Sequence, residues 1–229
     1  ASRGLGDVYK RQAQLHRHNE HVRYVVVFQN WLKPAGASFD HLHKQVVAID
    51  EVGADNESVL PKAVLDPGIF NRWGPDFAVE HGLVLACNDG AVMTVGFGHR
   101  YPSVEVWSTS RVDQPWRVDD EGIDAVSDLL HAAHVAVSDD VPANEEWHYR
   151  PMGTGVPVPW RIILKLRTST LAGFEGGTKI YVNTISPTTL AAMLLPKLFE
   201  ARAAGRIAAM NLGDECEIPR GVLAVTRER

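Results

Sequence analysis

Residues 30–45 read Asn-Trp-Leu-Lys-Pro-Ala-Gly-Ala-Ser-Phe-Asp-His-Leu-His-Lys-Gln, a polar segment between two apolar runs. The first run is Tyr-Val-Val-Val-Phe at 24–28 and the second is Val-Val-Ala-Ile at 46–49. Short runs rich in β-branched residues predict strands, so the polar segment has to turn the chain between them. In an extended stretch, alternation puts His41, His43 and Gln45 on one face. Three polar side chains aimed one way, beside a small-residue turn with free backbone N–H groups, suit a phosphate. Imidazole can attack phosphorus. A Gln amide can donate to a phosphoryl oxygen without competing for the proton. His-x-His alone says little, because two histidines bonded to backbone on a half-buried strand would read the same.

The longer string says more. Gly36-Ala37-Ser38-x-x-His41-x-His43-x-Gln45 resembles the active-site signature of the galactose-1-phosphate uridylyltransferases, Gly-(Cys/Ala)-Ser-x-Pro-His-Pro-His-Gly-Gln. It also resembles the diadenosine tetraphosphate phosphorylases of the same histidine-triad superfamily. The match has no gap and departs at Asp40, Leu42 and Lys44, which shape the turn and so bear on the substrate more than on the chemistry. Three shorter pieces follow in the family's order. Val79-Glu80-His81-Gly82-Leu83-Val84-Leu85 is similar to its strand Thr-Glu-His-Trp-Leu-Val-Val. Trp147-His148 is similar to its Trp-His-Gly, and Ala172-Gly173-Phe174-Glu175 to its Val-Gly-Tyr-Glu. The resemblance covers about residues 22–205.

That resemblance implies a ping-pong nucleotidyl transfer between a nucleotide sugar and a sugar 1-phosphate, with dinucleoside polyphosphate phosphorolysis as the nearest variant. His43 would be the nucleophile. It needs its other ring nitrogen held by an acceptor so that one tautomer persists. Gln45, Ser38 and the N–H groups of Gly36 and Ala37 would serve the phosphoryl oxygens, with Asn30 as a further phosphate contact. Lys165 and Arg167 could neutralise phosphate, or Lys165 and Arg161 could mark a solvent face. Phe174 and Glu175 would meet the sugar. Hydrolytic members carry a third His at the Gln45 position, able to pass a proton to a leaving group; an amide there favours transfer. Some members bind zinc through the first His of the motif and an upstream Cys-x-x-Cys, so His41 would be a zinc ligand only in a longer gene product. At the family's second metal site this chain has Ile163-Leu164-Lys165 in place of His-x-His, and no metal is expected beside His148. The resemblance suggests a homodimer with sites completed across subunits. A catalytically silent nucleotide-binding or structural half is the alternative from another class.

Among 229 residues, 45% are hydrophobic and 22% charged, which fits a folded globule of one large or two small domains. Net charge −5 argues against a general nucleic-acid binder. No apolar run approaches the ~20 residues that span a membrane. Cys87 and Cys216 form no metal or redox spacing and fit a reducing cytoplasm. Residues 7–12, Asp-Val-Tyr-Lys-Arg-Gln, are what GAT GTG TAT AAG AGA CAG encodes, a string resembling a transposon adapter end. Residues 1–12 are therefore set aside as an artefact, with the first repeat's N-terminal part expected to lie upstream. His16, His18 and His21 fall on different helical faces, as in a solvated helix.

Residues 13–55 are then the end of a first histidine-triad repeat, 56–76 a linker, and 77–229 a second repeat. The expected elements are strands at 77–87, 91–95, 104–107, 160–166 and 179–183, helices at 119–137 and 187–204, a loop at 173–177, and a short apolar piece at 221–225. That order predicts an α+β fold with an antiparallel sheet and flanking helices. With neighbours missing, the edge at 24–29 is expected to stand unpaired.

Overall fold

The computed structural model describes residues 2–39 and 41–223. One antiparallel sheet of eight strands runs through the molecule. Its strands are β1 Tyr24–Trp31, β2 Gln45–Ile49, β3 Val84–Asn88, β4 Ala91–Gly96, β5 Ser103–Ser108, β6 Ala143–His148, β7 Arg161–Leu166 and β8 Asn211–Leu212. Their spatial order is β2-β1-β6-β7-β5-β4-β3-β8. Helices α1 Ser2–His18, α2 Ala54–Leu65, α3 Ile69–Arg72, α4 Pro75–Glu80, α5 Asp120–Val137, α6 Gly173–Thr178 and α7 Pro187–Ala203 complete the α+β architecture.

Alternation divides the sheet into two faces. Met93, Val104, Val106, Ala143, Trp147, Ile162 and Leu164 point to the face covered by α5 and α7, where Val126, Leu129, Leu194 and Leu198 meet them. Each such Val, Leu, Ile or Met side chain contributes roughly 1.5–3 kcal/mol by leaving water. Helix α5 starts where Asp119 accepts from the N–H of Gly122. Helix α7 starts at Pro187, with Ser186 accepting from the N–H of Thr189. On the opposite face Trp107 packs with Ala63 of α2, Phe70 of α3, Val158 and Leu223. The rest of that face, from β7 to β2, carries polar side chains and is called the open face below.

Several expectations need correction. Residues 77–87 are not one strand: Pro75 opens helix α4, and Gly82, at φ +64°, turns the chain back into β3. The segment read as a linker with one short helix holds α2 and α3 and leads into α4. Residues 173–177 are helical, because the Glu175 carboxylate reaches back to the N–H of Ala172. Residues 179–183 form no strand. Lys179 takes a left-handed conformation, and Ile180 and Val182 stand exposed. Strand β6 was not expected at all, since Asn-Glu-Glu resists strand formation unless its charges are paired. Residues 7–12 belong to α1, with Val8 buried in the core. The apolar piece at 221–225 lies partly outside the described residues; within them, Leu223 is buried.

Strand β1 is also not an edge. It pairs with β2 on one side, Phe28 opposite Gln45, and with β6 on the other, Asn30 opposite Asn144. Segments 13–55 and 77–229 therefore share one sheet, and its open edge on this side is β2.

Candidate active site

The site begins where β1 ends. Leu32 adopts φ 64°, ψ 156°, a strained conformation for a residue with a side chain. Its carbonyl accepts from the N–H groups of both Ala35 and Ala37, and that of Lys33 accepts from Gly36. The result is a tight 3-10 turn, Lys33–Ala35, closed by Gly36 at φ 88°. A side chain at Gly36 would be conformationally strained there. The N–H groups of Gly36 and Ala37, expected as phosphate donors, are used within the turn. Ser38 is exposed, and its hydroxyl has no partner among the described residues. Asp40 lies outside them.

After the turn the chain reaches β2 without regular secondary structure, so His41 and His43 precede the strand and only Gln45 lies within it. Lys44 organises this approach. Its ammonium passes to the helix side of the sheet, 2.5 Å from Glu145 Oε1 and 3.3 Å from Gln29 Oε1. Gln45, the next residue and the first of β2, faces the open side. Gln45 is opposite Phe28, in the row that continues to Glu146 on β6.

His43 Nδ1 lies 3.0 Å from the carbonyl oxygen of His41. A carbonyl only accepts, so Nδ1 carries a proton, and in the neutral ring the lone pair belongs to Nε2. The rings of His41 and His43 stand 5.2 Å apart, and Phe39 packs against both at 5.6 and 5.9 Å. His43 is half-buried and His41 exposed.

Behind the motif, Glu145 is 1% exposed. Burial alone would raise its carboxyl, but Lys44 and His134 hold it at about 2. His134 Nε2 lies 3.0 Å away, and the Trp147 indole donates at 2.7 Å. On the open face, burial opposes ionisation of Glu146, but His148 and Lys165 bring its carboxyl down to about 2. Lys165 Nζ donates to Glu146 Oε2 at 2.6 Å. His148 Nε2 is 3.6 Å from that carboxylate, and burial lowers its pKa so that it is neutral at pH 7. Arg161 reaches Glu105 at 3.3 Å and covers the Trp107 ring at 4.7 Å.

Asn30 lies at the end of β1 beneath the turn, where its carboxamide meets Asn144 at 2.7 Å. Arg167 stacks over Tyr101 and donates to Asn144 at 2.9 Å, so its Nη1 is directed into the sheet rather than into solvent. The structure thus brings together Asn30, Gly36, Ala37, Ser38, His41, His43 and Gln45, with Lys165 further along the same face. Phe174 and Glu175 are not joined to them. They sit on α6, with Phe174 55% exposed, and make no hydrogen bond or ring contact with the motif among the described residues.

Sequence reasoning missed Lys44, His134, Asn144, Glu145 and Glu146. Lys44 reads there as a departure from a pattern, and the others carry no spacing of their own. For zinc the test is the donor set. Among the described residues no group of three His, Cys, Asp or Glu side chains could hold a metal, so His41 lacks the partners such an ion needs.

A family model described as Domain of unknown function (DUF4921) matches residues 8–225. A curated ADP-glucose phosphorylase from Arabidopsis thaliana is 25% identical over 216 residues, covering 83% of this chain and 58% of that protein. The crystal structure of an ADP-glucose phosphorylase from Arabidopsis thaliana with bound ADP-glucose matches with a TM-score of 0.71 at 23% identity, over 83% of this chain and 63% of that one. A uridylyltransferase structure matches with a TM-score of 0.69 at 19% identity, over 86% of this chain and 67% of that one. The fold is therefore that of the uridylyltransferase-like proteins. The chain spans about three-fifths of the length of the phosphorylase.

Proposed function

This chain belongs to the DUF4921 family, and we propose that it acts as a nucleotidyltransferase on nucleotide sugars through a nucleotidyl-histidine on His43. The observation that carries this is the His43 tautomer. With Nδ1–H donating to the His41 carbonyl, Nε2 is the ring nitrogen left for phosphorus. Nε2 attacks the α-phosphorus; a P–N bond forms and the P–O bond to the sugar 1-phosphate breaks, the pair of electrons leaving with that phosphate. The ring becomes cationic, and the His41 carbonyl stabilises the Nδ1–H. A second phosphate oxygen then attacks the phosphorus and returns the electron pair to Nε2. Ser38, Asn30 and the Gln45 amide supply donors to the phosphoryl oxygens. Gln45 carries no titratable proton, which favours a phosphate acceptor over water.

The relatives favour two substrate versions. A uridylyltransferase reaction passes the nucleotidyl group to a sugar 1-phosphate, whereas the phosphorylase named above points to ADP-glucose with inorganic phosphate as acceptor. Phe174 and Glu175 stand clear of the motif in their own chain. In this reading they contact the hexose at the site of a second copy.

The test is intact-protein mass after mixing with UDP-glucose, UDP-galactose, ADP-glucose or ATP. An acid-labile increase of one nucleotidyl group, absent in His43→Ala, is expected and names the base. No adduct on folded protein with any of the four would overturn the reading.

A further inference from the structure

Two residues more than a hundred positions beyond the motif decide which way Asn30 faces. Asn144 makes three contacts. Its Oδ1 accepts from Arg167 Nη1 at 2.9 Å; its Nδ2 lies 2.7 Å from the Ala35 carbonyl oxygen and 2.7 Å from Asn30 Oδ1. The two ends of a carboxamide are normally interchangeable in a structure, and only their partners distinguish them. Here both ends are determined. A guanidinium has no acceptor, so the atom facing Arg167 must be oxygen. A carbonyl has no proton, so the atom facing Ala35 must be the amide nitrogen. That nitrogen has two protons, one for Ala35 and one for Asn30. Asn30 must then present its own oxygen to Asn144, which leaves its Nδ2H2 group on the other side, 3.9 Å from where a Cβ on Gly36 would lie.

We propose that Asn144 and Arg167 are positioning residues: they polarise the Asn30 carboxamide so that its Nδ2H2 faces the Gly36–Ser38 turn as a donor to a phosphoryl oxygen. The inference rests on the reading that this turn receives a phosphate. The same amide nitrogen that orients Asn30 also holds the Ala35 carbonyl through its other proton, so turn and donor are fixed together. Arg167 is kept in place by its stack on Tyr101 at 4.5 Å and by its backbone N–H, which donates to the Pro142 carbonyl at 2.8 Å. Its role is to be a pure donor, which Lys can reproduce and Met cannot.

The decisive variant is Asn144→Asp. It keeps the shape and can accept from Arg167, but it has no proton for Ala35 or Asn30, and it accepts from Asn30 instead. The single-turnover rate of adduct formation should fall by about 10²-fold, comparable to losing one oxyanion donor. Affinity for nucleoside diphosphate should stay within about threefold, and Arg167→Lys should hold near the wild-type rate while Arg167→Met falls with Asn144→Asp. A loss of affinity and rate together, or Arg167→Met behaving as Arg167→Lys, would reduce the pair to a structural role and overturn the proposal. A second readout does not depend on turnover. The Asn30 side-chain amide resonance should shift when inorganic phosphate is added to the wild-type protein and stay unmoved in Asn144→Asp. If it shifts while no nucleotide sugar forms an adduct, the positioning stands and the transferase reading falls. If the adduct forms and the resonance does not move, the positioning falls alone.

Discussion

At the scale of single residues, the site depends on where protons sit. His43 donates one to a carbonyl and keeps its other nitrogen bare, and Gln45 beside it has none that can be lost. Replacing Gln45 by His would put a titratable group at that point. Gln45→His should raise hydrolysis of the nucleotidyl intermediate relative to transfer, read as the ratio of free nucleoside monophosphate to nucleotide-sugar product. Lys44 works on the other side of the sheet. Lys44→Ala removes the cation closest to a buried carboxylate, and such losses cost about 3–5 kcal/mol. His134 and Trp147 remain as partners for Glu145, so the lower end is expected, visible as a fall in thermal midpoint. Because Lys44 also ties the segment between His43 and Gln45 to Glu145, the variant should lose adduct formation below its own melting range.

At the scale of elements, strand β6 shows what a sequence conceals. Asn-Glu-Glu-Trp-His has neither an apolar run nor a clean alternation. It becomes a central strand because its Asn and Glu side chains are met from other elements: Lys44 and His134 at Glu145, Lys165 at Glu146, Arg167 and Asn30 at Asn144. None of those pairings has a local signal, which is why the strand and its role in the site were not legible. By contrast β1, β2, β4, β5, β7, α5 and α7 follow from period and capping, and His43 with Gln45 from the motif. The false strand at 77–83 and the false loop at 173–177 share one cause, helices too short to show a period. The β6 carboxylates also give an acid limit. Glu145 and Glu146 both titrate near 2 when folded, below the ordinary value of 4.5. Between those values the unfolded chain binds protons that the folded one does not, so stability is full above about pH 4.5 and falls as pH drops toward 2. For the fully buried Glu145 the loss is roughly 3 kcal/mol at 1.36 kcal/mol per unit. Urea midpoints should decline across that window, and less so in Glu145→Gln.

At the scale of the whole molecule, the sheet has one free flank near the site. Among the described residues strand β2 pairs only with β1, and Val47 on it is exposed. An unpaired edge with an apolar side chain is a template for another strand. Val47→Lys should suppress concentration-dependent association in sedimentation velocity while leaving the thermal midpoint unchanged. The edge expected at residues 24–29 lies instead at β2, because β6 arrives from the far half of the chain to occupy the inner side of β1. The central strand is thus completed by a segment made much later. On a ribosome, residues 24–49 emerge with their histidines and turn already in order, yet Lys44 has no carboxylate and Asn30 no neighbour until residues 144–167 have followed. Contacts of that span close slowly. The newborn chain therefore carries the motif before the frame that orients it, and that frame is complete only once β6 and β7 have been synthesised and have docked.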